Sequence, residues 1–267
     1  MTRPAPAPQA PRIVSEFDGE LEFDAPGRPV RLGLIALATD LTIERDARRL
    51  LPQDDVALHV TRVPFANPTT PENLRAMAPK LADAAALLLP EIPLAAICYG
   101  CTSASVAIGD AEVARYIGQA RPGVPVVTPI LAAAQAFRAL GAARISVLTP
   151  YLPETTAPML DYFDAAGIAV ARCSCLGLPD DRDMARLSAR TILAAARDAD
   201  TPEAEALFLS CTALPAVPLI AALEAELGKP VITSNQASFW AMLRLAGLPV
   251  PAGFGRIHAF GEKVRHA

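Results

Sequence analysis

Two cysteines stand at matching points of the chain, Cys101 in "AICYGCTSAS" and Cys211 in "EALFLSCTAL", each closing a short apolar run and each followed by a threonine. In an open parallel sheet, ligands collect beyond the carboxyl ends of the strands, which is where both thiols fall. Each is expected to precede a helix start, whose unpaired N–H groups and positive dipole end would lower a thiol pKa from about 8.5 toward neutrality. The same N–H groups, with Thr102, Ser103 and Thr212, would form an anion site for a substrate carboxylate. Two thiols flanking one carbon can take a proton from one face and return one to the other. Alternatively, one adds to an alkene while its partner donates a proton. Both are isomerase chemistries that need no cofactor.

A lone buried cysteine at a strand end is ordinarily a small apolar residue. Two Cys-Thr pairs at equivalent points of a repeat argue for function instead. The remaining cysteines form a CxxC (Cys98 and Cys101) and a CxC (Cys173 and Cys175), formally a zinc pattern. Strand alternation points Cys98 away from Cys101, however, and no histidine lies near either pair. His59 sits in an apolar strand pattern, and His258 and His266 fall near the C-terminus, so none resembles a catalytic base. None of Lys80, Lys229 and Lys263 stands where a pyridoxal Schiff base would be expected. A GxGxxG after a strand and a phosphate loop are both missing. The expectation is no metal and no organic cofactor.

The elements that must position the thiols are legible as alternating runs. "RLGLIAL", "VALHVTRV", "LAAICY", "VPVVT", "RISVLT", "IAVARC", "EALFLS" and "KPVIT" read as strands buried on both faces. Between them, segments such as "TIERDARRLL", "PILAAAQAFRALG" and "SARTILAAARDA" carry apolar residues at helical spacing. In "PENLRAMAPKLADAAALLL", Pro79 marks a kink or a break. The alternation predicts an α/β fold with doubly wound parallel sheets. The second half echoes the first at offsets from 105 to 113 residues. Two similar lobes related by a pseudo-two-fold follow, with the active site in the cleft between them. The expected boundaries are a flexible tail at 1–29, a first lobe of 30–130 plus 235–267, and a second lobe of 131–234.

With 267 residues, the chain can bury a sizeable core. A net charge of −4 and a pI near 5.5 give no general attraction to nucleic acid or anionic membranes, so a small molecule or a protein is the default partner; the paired thiols and their anion site make that a small carboxylic-acid or amino-acid substrate. Five cysteines, an odd number, and an N-terminus without an apolar signal core suggest reduced thiols in a cytoplasm. A homo-oligomer is also expected.

"YGCTSAS" and "LSCTAL" on a two-lobed plan resemble the aspartate/glutamate racemase superfamily, on the branch of maleate cis-trans isomerase and arylmalonate decarboxylase. "ANPTTPENL", "YGCTSASVAIGD", "LTPYLPETT" and "TSNQA" further resemble the ectoine utilisation protein A group, encoded beside ectoine-degrading enzymes. The resemblance implies that Cys101 is the thiolate and Cys211 its partner; Thr212 and Ala213, which follow Cys211, are expected to border the substrate. It also implies an isomerase, because arylmalonate decarboxylases keep only the second cysteine. Tyr151 matches a tyrosine that hydrogen-bonds substrate in maleate isomerases; by itself it reads as a strand-end aromatic.

Where those enzymes tend to carry asparagines, "ALATDLTIERD" and "GLPDDRDMA" align Asp40 and Asp181. A carboxylate repels a substrate carboxylate and attracts an ammonium, so an amino acid is the expected substrate. The competing reading makes these aspartates helix caps. Three functions follow from these observations: a racemase of a small amino carboxylic acid, such as a diaminobutyrate derivative from ectoine breakdown; a maleate-type cis-trans isomerase working through a cysteine adduct; or a non-catalytic ligand-binding protein.

Overall fold

The eight aliphatic runs all form strands, and their order repeats. In the computed structural model, which describes residues 14–23 and 29–260, β1 (Val30–Leu37), β2 (Val56–Val63), β3 (Ala96–Gly100) and β4 (Val126–Val127) lie in the order β2-β1-β3-β4. A second sheet of β5 (Arg144–Thr149), β6 (Ala169–Cys175), β7 (Ala206–Leu209) and β8 (Val231–Thr233) lies in the order β6-β5-β7-β8. Every pairing is parallel. The matching order is the structural form of the sequence echo, and it places β3 and β7, the strands that end at the two cysteines, beside the leading strand of their sheets. Residues 14–23 form no helix or strand; the rest of the expected tail, apart from 29, lies outside the described residues, as do Lys263 and His266.

Parallel strands need crossovers, and helices supply them. The first half carries α1 (Ile43–Leu50), α2 (Pro71–Arg75), α3 (Leu81–Ala86), α4 (Thr102–Ile108), α5 (Asp110–Ala120) and α6 (Pro129–Leu140). The second carries α7 (Pro153–Ala165), α8 (Asp181–Met184), α9 (Ala189–Ala199), α10 (Ile220–Leu227) and α11 (Ser234–Leu245). Pro79 breaks its segment: a single 3₁₀ turn, Ala78–Lys80, separates α2 from α3. No helix among the described residues is long and apolar enough to cross a membrane.

Strand alternation divides the core. Ile97 and Tyr99 face one cluster with Leu81, Val113 and Ile117, while Ala96 and Cys98 face another that runs through both halves to Phe137, Phe208 and Trp240. Cys98 and Cys101 therefore belong to different clusters, as the alternation requires. Burial pushes the Cys98 thiol up to about 12, the state of an inert core residue. Helix α11 joins the halves, packing on α6, α1 and β3.

Phe137, Phe163 and Phe208 meet edge to face, with centroids 5.7 to 6.1 Å apart, and all three are fully buried. Phe208→Ala would remove one ring from a packed trio and leave a cavity. A loss of about 3–5 kcal/mol in unfolding free energy is expected, read from urea denaturation.

Candidate active site

Cys101 ends β3 and is the N-cap residue of α4; Cys211 follows β7. Both line one nearly closed cavity, with a free volume of about 10 Å³, together with Asp40, Thr102, Ser103, Tyr151, Asp181, Thr212 and Ala213. Every residue read from the sequence as catalytic or substrate-binding thus lines one place. Leu37, Phe65, Thr69 and Met184 complete the lining. Sequence reasoning missed these four, although Thr69 lies in the quoted "ANPTTPENL" and Met184 follows closely on Asp181.

The two loops differ in backbone. Cys101 is extended (φ −148°) and opens a helix as expected. Cys211 does not: the chain turns through 210–216 before a 3₁₀ segment at Val217, and Cys211 itself has φ +100°. A non-glycine residue there costs on the order of 1–3 kcal/mol and persists only where its surroundings fix it. The expected second helix start is therefore replaced by a strained turn.

What fixes the turn lies at the start of α11. Ser234 Oγ accepts from the Cys211 backbone N–H at 3.0 Å and from the Thr102 hydroxyl at 2.8 Å, tying one cysteine loop to the other. Asn235 donates to the Thr212 carbonyl (2.9 Å) and to buried Asp46 (2.8 Å). Thr212 Oγ1 donates to the Gly100 carbonyl at 3.1 Å, and Thr42 Oγ1 to the Ala213 carbonyl at 2.7 Å. The Thr102 and Thr212 hydroxyl protons are thus committed to the protein. Of the three hydroxyls expected at the anion site, Ser103 Oγ, 3.7 Å from Cys101 Sγ, is the one that turns toward a thiol.

Burial also reverses the expected thiol chemistry. Loss of water pushes Cys101 up to about 12, against the opposing pull of the Ala104 N–H and the Ser103 hydroxyl, and nearby Asp181 and Asp40 push it further. Cys211 is raised too, by burial first, despite hydrogen bonds from Tyr151 and the Ala213 N–H. A helix terminus cannot offset full desolvation in a cavity lined by two carboxylic acids and no Lys, Arg or His.

Both aspartates are almost fully buried. Asp40 Oδ1 accepts from the N–H groups of Thr42 (2.7 Å) and Ile43 (2.8 Å), capping α1, while Oδ2 is buried without a partner. Burial, opposed by those two N–H bonds, lifts its pKa from 3.8 to about 6. Arg62 braces this turn from behind, donating to the carbonyls of Leu37 and Asp40, both at 3.0 Å. Asp181, the first residue of α8, accepts from Asn67 Nδ2 at 2.8 Å and from the Thr39 hydroxyl. It reaches across from the second half to two residues of the first. Tyr151 OH lies 3.5 Å from Ser210 Oγ and close to Cys211.

Among the described residues, no three His, Cys, Asp or Glu side chains are grouped to hold a metal ion. Cys173 is half-buried and Cys175 exposed on β6, the edge strand of the second sheet.

A profile of the arylmalonate decarboxylase family matches residues 70–258. The chain belongs to that family. The maleate isomerase of Nocardia farcinica is 29% identical over 246 residues, covering 85% of this chain and 94% of the relative. A variant of the Nocardia farcinica maleate cis-trans isomerase with a covalently bound succinylcysteine intermediate superposes with a TM-score of 0.78 at 26% identity, covering 86% of this chain and 98% of that one. Arylmalonate decarboxylase superposes at 0.71, also at 26% identity, over 86% of this chain and 99% of its own. This family member therefore shares its two-sheet architecture with enzymes of two different activities.

Three outcomes follow from the geometry. Ser234→Ala leaves the buried Cys211 N–H without its acceptor and frees the strained turn, so a loss of about 1–3 kcal/mol is expected in urea denaturation, with Ser234→Thr recovering most of it. The ligand-free protein should alkylate slowly at Cys101 with iodoacetamide near neutral pH and faster as pH rises, followed by mass spectrometry. Asp40 keeps its proton to about pH 6 when folded and ionises near 3.8 otherwise. The folded state then binds more protons between those values, so this contribution to stability is full below the lower value and declines as pH rises through the upper. Asp40→Asn should remove that share of the decline, measured as urea midpoints across the window.

Proposed function

We propose that this family member is a cofactor-independent isomerase that racemises a small amino carboxylic acid, with Cys101 and Cys211 as its two acid–base groups. One thiolate takes the Cα proton, the carbanion is held by the adjacent carboxylate, and the other thiol returns its own proton to the opposite face. The reaction then ends with the proton on the first sulfur and the charge on the second. No electrons leave the system, so no redox partner is required.

The observation that carries the amino-acid reading is the charge of the cavity. Asp40 and Asp181 line it, no Lys, Arg or His does among the described residues, and Asp40 Oδ2 is buried without a hydrogen-bond partner. A substrate ammonium would supply the missing positive charge. It would pair with Asp40 for about 1.5–3 kcal/mol and would lower the pKa of Cys101, drawing the thiolate out only when substrate is bound. A diaminobutyrate derivative of ectoine breakdown suits this chemistry, having both a carboxylate and an amine. The ectoine assignment rests on the sequence resemblance.

A second reading is favoured by the relatives. In the Nocardia farcinica isomerase, a cysteine carries a succinyl group. The equivalent reaction here would add one thiolate to the alkene, forming a C–S bond, and protonate the resulting carbanion from the other thiol. Rotation about the new single bond and reversal of both steps would then give the trans product.

Incubation in D₂O with amino acids and with maleate, followed by NMR, separates the two readings. Deuterium at Cα with loss of optical activity is the expected result; conversion of maleate to fumarate without amino-acid exchange would replace racemisation with the second reading, and no exchange with any acid would leave a binding protein. Cys101→Ser and Cys211→Ser should each lower turnover by orders of magnitude, since a serine hydroxyl is almost never ionised near neutral pH. Asp40→Asn should weaken amino-acid binding by about tenfold or more while improving that of maleate, as read by calorimetry. Unchanged preference would remove the ammonium contact.

A further inference from the structure

Asp46 and Asn235 are buried polar residues that the proposed chemistry does not use. Asp46 is fully buried on α1 and Asn235 is 1% exposed at the start of α11, where those two helices pack together. Neither lines the cavity. Asn235 Nδ2 donates to Asp46 Oδ2 at 2.8 Å and to the Thr212 carbonyl at 2.9 Å. The other oxygen of each side chain is poorly served. Asn235 Oδ1 is buried without a hydrogen-bond partner, and Asp46 Oδ1 meets the Arg49 guanidinium at 3.6 Å, beyond an ordinary hydrogen bond.

For joining two helices, this pair is a poor choice. A buried carboxylate and amide with unmet hydrogen-bonding capacity are disfavoured against well-packed apolar side chains of the same size. What apolar residues could not supply is a donor for the Thr212 carbonyl, which follows directly on the strained backbone of Cys211 (φ +100°). Three successive residues of this turn are held by side chains from outside it: the Cys211 N–H by Ser234, the Thr212 carbonyl by Asn235 and the Ala213 carbonyl by Thr42. Asp46 aims the middle contact. Burial raises its pKa from 3.8 to about 6, so near neutral pH it is mostly an ionised acceptor. An amide set between two acceptors can serve both only with its NH₂ end.

We infer that Asn235, aimed by Asp46, is a positioning residue for Cys211: the pair holds the turn that sets where the Cys211 sulfur stands in the cavity. The inference rests on the two-thiol reading of the site. Asp46 belongs to the helix that Asp40 caps, so one element fixes both the carboxylate that would bind the ammonium and, through Asn235, the thiol that would move the proton.

Two variants of the full-length protein test this, read by turnover, urea denaturation and hydrogen exchange with mass spectrometry. Asn235→Leu should lower kcat about tenfold to a hundredfold with KM held within about twofold, because the thiol is displaced while the binding groups stay. Its peptide containing Cys211 should take up deuterium faster, and by more than the peptide containing Cys101. Adding Asp46→Leu replaces both partners by apolar groups of similar shape, so most of the urea midpoint lost in the single variant should return. The low kcat and the fast exchange should remain, since the Thr212 carbonyl still has no donor. Turnover that returns together with stability would make the pair structural only and overturn the inference. Unchanged exchange at the Cys211 peptide in both variants would also overturn it. If the parent racemises no acid, the two-thiol reading fails instead, and the exchange comparison still decides whether the pair holds the turn.

Discussion

Ser234 Oγ accepts two hydrogen bonds, one from the Thr102 hydroxyl and one from the Cys211 backbone N–H, and so ties the two cysteine loops to each other. Ser234 belongs to neither cysteine loop. It is the first residue of α11, the helix that packs against α1, β3 and α6, so the coupling is anchored in an element that spans the interface. Thr233 and Gln236 form a reciprocal capping box that secures the start of that helix. The strain at Cys211 is intelligible in this frame: its N–H is held by Ser234 and the next carbonyl by Asn235, so the turn has no freedom to relax.

The same closure determines the electrostatics. Excluding water from a cavity with a free volume of about 10 Å³ keeps both thiols protonated and lifts Asp40 to about 6. Near neutral pH, Asp40 is then largely ionised while the thiols are not. The resting site stores negative charge on a carboxylate and withholds it from sulfur. An arriving cation would reverse that balance, whereas an arriving dianion would worsen it.

Much of this was legible in the sequence because it follows from periodicity and position. All eight strands were readable as aliphatic runs, and the placement of Cys101 and Cys211 at strand ends followed from where those runs stop. The repeat supplied the convergence of the two loops. What escaped depends on backbone path and on partner choice. Nothing in "LSCTAL" says that the residues after Cys211 turn instead of coiling, since "YGCTSAS" has nearly the same pattern and does coil. Whether Thr102 and Thr212 donate to a ligand or to the protein depends on acceptors 132 and 112 residues away. The direction of the thiol shifts likewise depends on total burial, which no local motif encodes.

Asp40 shows why a helix cap and a ligand contact are not alternatives. A carboxylate has two oxygens, and the turn "TDLTI" spends one of them on the N–H groups of Thr42 and Ile43. That bond orients the group and leaves the second oxygen of this cavity-lining residue buried without a partner. The cap therefore does the positioning that a binding carboxylate needs, at a point where a freely rotating side chain would lose entropy on engaging a ligand. An asparagine can cap equally well, but its free atom would carry no charge. The choice of aspartate costs the folded state a buried acid with a raised pKa, a cost that helix capping alone does not explain and that a cationic ligand would offset.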